Sequence, residues 1–411
     1  MQAASPPPAQ RATGDGTLLA ANTGSRSIAT TVAQLQARLR LNPRDARAWS
    51  LLGLAYEQRA RDTGNPMYYP KADGALHRAL ALRPGDLVAI GGLGSLALSR
   101  HHFREALSLG RKAVRVSPTT ALTYGIVGDA LIELGRYRSA FRAFDTMAQL
   151  KPGLASYARI SYGRELLGET AGAIEAMQMA VDAATSEPEP TAWTHWQLGK
   201  LYWSVGRIQA AAREYRISLA AFPGYVYALD ALAQVRAAQG RMAAAIALER
   251  RAVDRMPLPQ FVAQLGDLYR AEGKPAEARR QYALFGVIHR LFVANGVNAD
   301  LETALFDVDH GIGLRHALTL ARRAHAERPS IDGDDVLAWA LARNGRCSEA
   351  LGWSRQALRL GTLDALKLFH RGMIEQCLGR GVTGSAFLNR ALSLNPHFSI
   401  LWAPVARRAL R

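Results

Sequence analysis

Between Ala192 and Ser204 the chain reads AWTHWQLGKLYWS, with Trp193, Trp196, Lys200 and Trp203 at spacings of three, four and three. On a helix these positions share one face. Three indoles and an ammonium suit non-covalent recognition, because aromatic and cationic anchors dominate binding hot spots. The same rings suit packing, if they close across a tight stack or against residues 185–190. The pattern leaves both uses open. An acidic and histidine-bearing group follows, with Glu302, Asp307, Asp309 and His310, then Asp332, Asp334 and Asp335. Its spacing matches neither a calcium loop nor an HExxH helix, so no metal site is expected. The last three carboxylates suit a helix N-terminus. There is no P-loop, GxSxG elbow, dinucleotide fingerprint or paired CxxC. Accordingly, no catalytic residue and no cofactor is expected.

The elements that must hold these residues are short helical hairpins. Ala121 to Pro152 reads as two amphipathic helices joined at Gly135 and Arg136. Tyr124, Val127, Gly128 and Leu131 share one face of the first helix, and Ala140, Phe144 and Met147 share one face of the second. Such a hairpin cannot bury its stripes alone and must stack on copies of itself. Prolines mark the copies: Pro84, Pro118 and Pro152 lie 34 residues apart, as do Pro223 and Pro257. Pro329 and Pro396 continue the series at near multiples. A ring without N–H can end a helix but not continue one.

A 34-residue helical hairpin resembles the tetratricopeptide repeat, whose pattern is Trp-x2-Leu-Gly-x2-Tyr, then Ala-x3-Phe-x2-Ala, then Pro. Trp49, Leu52, Gly53 and Tyr56 match its first part; Leu198, Gly199, Tyr202, Ala211, Tyr215 and Pro223 match most of another copy. The resemblance covers roughly residues 28 to 411. It implies an all-α solenoid of stacked antiparallel helix pairs, about ten repeats in a right-handed superhelix. It also implies that the tryptophan face lines a concave groove, with Arg159, Tyr162 and Tyr227 in similar positions. The family's carboxylate clamp is missing, because its Lys and Asn positions are held by Ser50 and Leu54, Gly91 and Ser95, and Gly125 and Asp129.

Two further features follow from the hairpin frame. Arg78, Arg111, Lys112, Arg250, Arg251, Arg322, Arg323, Arg355 and Arg390 each precede the small residue at a helix contact. They should form a basic convex ridge, able to meet a polyanion or anionic surface. Aromatics are not interleaved with them, which argues against nucleic acid. Cys347 opens one helix and Cys377 ends the next, with the turn near Gly361 midway between them. Opposed in an antiparallel hairpin, the two are candidates for a disulfide if their Cα atoms approach within about 7 Å. Two small buried thiols are the other reading.

Net charge is +17, yet 45 of the 51 basic residues are Arg, which looks like a GC-rich bacterial genome as much as selection for a polyanion. No apolar run is long enough to span a membrane. Residues 1–27 read as a disordered leader. Residues 28–184 then form an N-terminal sub-stack, 185–191 a linker, 192–396 a C-terminal sub-stack, and 397–411 a capping helix. In that cap, Leu401, Val405 and Ala409 should face the stack. No basic n-region with an apolar core is present. The chain as written is therefore expected in the cytoplasm, or outside it if an export signal has been removed. The expected function is a scaffold gripping an extended peptide or protein partner, with the polyanion ridge as the alternative. Partner identity and oligomeric state are not encoded in any motif.

Overall fold

The computed structural model describes residues 27–184 and 187–411. Among these residues it holds 22 α-helices and no strand. The expected architecture is the one observed: consecutive helices pack as antiparallel pairs, and within each unit described below pairs lean on their neighbours. The expected leader (apart from Ser27) and linker residues 185–186 lie outside the described residues. Pro188 to Thr191 form the first turn of a helix.

Proline works as the composition demands. Asn42, Arg83, Ser117, Lys151, Phe222, Met256, Arg328 and Asn395 are all C-caps directly preceding a proline. Each adopts ψ between 72° and 107°, because the following ring excludes the helical region. Most hairpin turns use a left-handed glycine, such as Gly135 at φ 68°, while in the turn at Arg100 to His102 it is His101 that takes this conformation, at φ 60°. Gly199 has a second use: a Cβ there would collide with the Tyr215 ring, so only glycine lets the paired helices approach this closely.

The chain divides into two units. Among the described residues, the N-terminal unit comprises 27–159 together with 290–299. It contains α1 (Ile28–Leu41), α2 (Ala46–Thr63), α3 (Tyr68–Leu82), α4 (Leu87–Ser99), α5 (Phe103–Val116), α6 (Ala121–Glu133), α7 (Tyr137–Leu150) and the start of α8 (Leu154–Leu166). Leu52, Leu54, Leu76, Leu93 and Leu96 form the core of its first repeats. Its turn at Arg100 to His102 grips residues 296–298: Arg100 Nε donates to the Gly296 carbonyl at 3.0 Å, and the Asn298 amide donates to the Arg100 carbonyl at 2.9 Å.

The C-terminal unit comprises Ile160–His289 and Asp300–Arg411. It contains α9 (Thr170–Asp182), α10 (Pro188–Ser204), α11 (Ile208–Ala221), α12 (Val226–Ala238), α13 (Met242–Arg255), α14 (Pro259–Ala271) and most of α15 (Pro275–Ala294). Next come α16 (Asp300–His310), α17 (Leu314–Glu327), α18 (Ile331–Arg343), α19 (Cys347–Ala357), α20 (Ala365–Cys377), α21 (Gly381–Leu394) and α22 (Trp402–Ala409). Turns far apart in sequence touch within this unit. Asn395 donates to the Trp203 carbonyl at 2.8 Å, and Thr362 bonds the Leu166 carbonyl. The last helix is rotated from expectation: Ala403 and Ala406 are buried, while Val405 is half-buried and Ala409 exposed. Packing of Trp402 against Trp339 and Phe369 selects that face.

Candidate binding site

The tryptophan stripe of α10 occupies one face, but that face is closed. Trp193, Trp196 and Trp203 are only 4, 2 and 6% exposed, so of the two uses the sequence left open, groove lining and packing, the rings themselves take the second. The cause is the following repeat. Trp196 meets Tyr225 edge-on, with ring centroids 6.3 Å apart, and Tyr227 at 5.1 Å. Tyr227 in turn meets Phe261 of α14 edge-on at 5.5 Å. One aromatic seam therefore crosses α10, α12 and α14. Lys200, half-buried, holds its ammonium 5.1 Å from the centre of the Trp196 ring. Tyr162 and Tyr227 are also half-buried.

Arg159 departs from expectation more sharply. In the N-terminal unit it is 1% exposed, and its Nε and Nη2 donate to the Asp129 carboxylate at 2.8–3.3 Å. Nη1 donates to the Ala155 carbonyl at 3.0 Å. Gly125 leaves the room the guanidinium needs. The side chain is thus engaged within its own chain, and the clamp-position Asp129 holds it.

Beside the seam, Asp230 on α12 and Glu249 on α13 are buried and interact. Burial pushes the Asp230 carboxyl up to about 7 and Glu249 well above its usual range. Both groups hold protons more tightly folded than unfolded. Stability from Asp230 is fully present below roughly pH 4 and is lost as pH rises through about 7, with the loss from Glu249 following at higher pH. Asp230→Asn should flatten that decline, as checked by thermal unfolding at acidic and alkaline pH.

The acidic and histidine-bearing group is consumed by contacts between helices. Asp309 accepts from the indoles of Trp339 at 2.9 Å and Trp402 at 3.1 Å. Asp335 pairs with His370 at 3.0 Å, and Asp334 pairs with His325 and Arg359. Ser330 caps α18, and Asp332 and Asp334 stand in its first turn, where carboxylates were expected to meet the helix dipole. Among the described residues no three His, Cys, Asp or Glu side chains converge as a metal site. Nor is any helix among them long and apolar enough to cross a membrane.

Cys347 and Cys377 are joined by a disulfide whose Cα atoms lie 6.2 Å apart, closing a loop of 30 residues. Loop-closure entropy puts its contribution at about 3.6 kcal/mol. Reduction, or Cys347→Ser with Cys377→Ser, should lower the denaturation midpoint accordingly. The basic positions are all exposed, and each precedes a buried alanine (Ala79, Ala113, Ala252, Ala324, Ala357 and Ala391). Arg323 is bound to Asp300.

Sequence reasoning missed Gln234 and Gln264. Gln264 is 4% exposed and, with Trp203 and Gln234, lines a cavity of about 250 Å³ in the C-terminal unit. No sequence pattern marked them: Gln234 donates to Asp230 one turn earlier at 3.0 Å, and Gln264 stands among Gln260 and Asp267.

Comparison with known proteins agrees with this architecture. Residues 197–257 match the tetratricopeptide repeat family model. Anaphase-promoting complex subunit 7 of Arabidopsis thaliana is 28% identical over 162 residues, which is 38% of this chain and 28% of that protein's length. The human IFIT1 dimer with m7Gppp-AAAA superposes with a TM-score of 0.51 at 15% identity, covering 77% of this chain and 72% of that one. Its form with PPP-AAAA gives 0.50 at the same identity, over 77% and 73%. The chain is thus an array of stacked helix pairs of which residues 197–257 are similar to the tetratricopeptide repeat.

Proposed function

We propose that the chain is a non-catalytic scaffold that holds an extended peptide along the first helices of its C-terminal unit. The observation carrying this reading is the seam from Trp196 through Tyr225 and Tyr227 to Phe261, continuous over three successive repeats. The buried Trp193, Trp196 and Trp203 serve as its rigid wall. Lys200, Tyr227 and Tyr162, which keep exposed surface, supply a cation and two rings to the partner. Rigid aromatic surface beside a half-buried cation suits a hot spot.

A library of displayed linear peptides, selected against the whole chain, provides the test. Selected peptides should lose at least tenfold in affinity against Lys200→Glu and Tyr227→Ala variants whose unfolding midpoints are unchanged. Failure to enrich any peptide, or equal binding to both variants, would sink the reading.

A second reading rests on the exposure of the basic positions. Within the C-terminal unit, Arg250, Arg251, Arg322, Arg355 and Arg390 all reach solvent from second helices. Such a ridge would bind a polyanion, and retention on heparin that falls steeply with salt would favour it.

A further inference from the structure

The C-terminal unit closes on itself. Asn395 Nδ2 donates to the Trp203 carbonyl across 192 residues of chain, and the Thr362 hydroxyl to the Leu166 carbonyl across 196. Both bonds run from a side chain to the backbone near the end of a first helix. At each meeting point a left-handed glycine lets two backbones approach. A Cβ on Gly206 would stand 2.8 Å from the Leu394 carbonyl oxygen, and one on Gly168 would collide with the Gly361 carbonyl. Just beyond Asn395, residues His397, Phe398 and Ala403 border a cavity of about 250 Å³ together with Trp203, Gln234 and Gln264. Unfilled space forfeits the dispersion contacts that hold a close-packed interior together. On its other side the same segment is anchored. Phe398, Ala403 and Ala406 are buried in the core of the last repeats, and the Trp402 indole donates to Asp309 at 3.1 Å. The segment is therefore fixed to the last repeats and only loosely packed on α10, α12 and α14.

We infer that this meeting is a clasp: residues 394–407 cover part of α10, α12 and α14, and part from them together with the last repeats to admit a peptide. The loosely packed side is the one that separates. Lys200 stands one turn before the covered Trp203, and Tyr227 two turns before the covered Gln234. A peptide that grips Lys200 and Tyr227 therefore borders surface that the closed clasp withholds. Its apparent affinity is lowered by the fraction of molecules that are open. This inference rests on the peptide-scaffold reading for what enters, but not for the opening itself.

Spin labels on the full chain at Arg207→Cys and Ser393→Cys, beside the meeting point, report the opening. Both positions are exposed, and the chain's own two cysteines are bonded to each other. The parent should give one short distance with a minor longer one. Asn395→Ala removes the bond to Trp203, and Gly206→Ala wedges the two backbones apart. Each should enlarge the longer population and tighten selected peptides about tenfold. Gly240→Ala is the control, because that glycine has the same left-handed backbone, φ 72° against 71°, but no opposing atom within 4 Å of an added Cβ. It should change neither readout. A distance that stays fixed in both opening variants overturns the inference, as does a Gly240→Ala variant that gains as much as Gly206→Ala. Peptides that bind every variant alike, beside a growing longer population, would remove the gating and leave the scaffold reading standing. A library that enriches nothing while the longer distance still grows would leave the clasp and remove the scaffold reading.

Discussion

Replacing Asp129 with Ala should cost about 3–5 kcal/mol of stability, because it strands a buried guanidinium. Arg159 and Asp129 are 1% and 0% exposed, and the paired oxygen lies 2.8 Å from Nη2. Only the Ala155 carbonyl would remain as a partner. The energy lost is chiefly the cost of the unpaired charge rather than the worth of the pair. The double variant Asp129→Ala with Arg159→Met should therefore recover most of the loss, since it removes the charge and fills its space. Urea unfolding of the two variants and the parent checks this. A double variant as unstable as the single one would mean that the ion pair itself, and not its desolvation, supports the N-terminal unit.

That pair also explains how far the sequence could be read. Helix ends were legible because a proline acts on the residue before it, and the C-caps from Asn42 to Asn395 all stand there. The common face of Trp193, Trp196 and Trp203 was legible from helical spacing. Whether that face was open was not, because it is closed by Tyr225 and Tyr227 of the next repeat. Asn395, 192 residues away, also reaches Trp203. Periodicity assigns residues to faces, but only the neighbouring repeat decides which face is covered. A usable signal did exist. Asp129 and Arg159, and Asp309 and Trp339, are each 30 residues apart, while Asp335 and His370 are 35 apart. Polar residues one repeat apart on first helices pair across the stack. Searching for complementary partners at that spacing would have removed Arg159 and the acidic group from the binding candidates.

Trp196→Ala should likewise remove about 3–5 kcal/mol, the usual cost of deleting a large buried aromatic. The ring is 2% exposed and is held by Tyr225, Tyr227 and the Lys200 ammonium. In a repeat array each element contacts chiefly its neighbours, so damage should be local before it is global. Hydrogen exchange should show lost protection in α10, α12 and α14, with α18 and α20 unchanged. Trp196→Phe, which keeps an aromatic ring in the seam, should restore most of that protection. Peptide capture should then follow the integrity of the seam: weak in the Ala variant and near normal in the Phe variant. If Trp196→Ala kept its protection and lost only capture, the ring would be a direct contact on an accessible groove. The seam as a supporting wall would have to be abandoned.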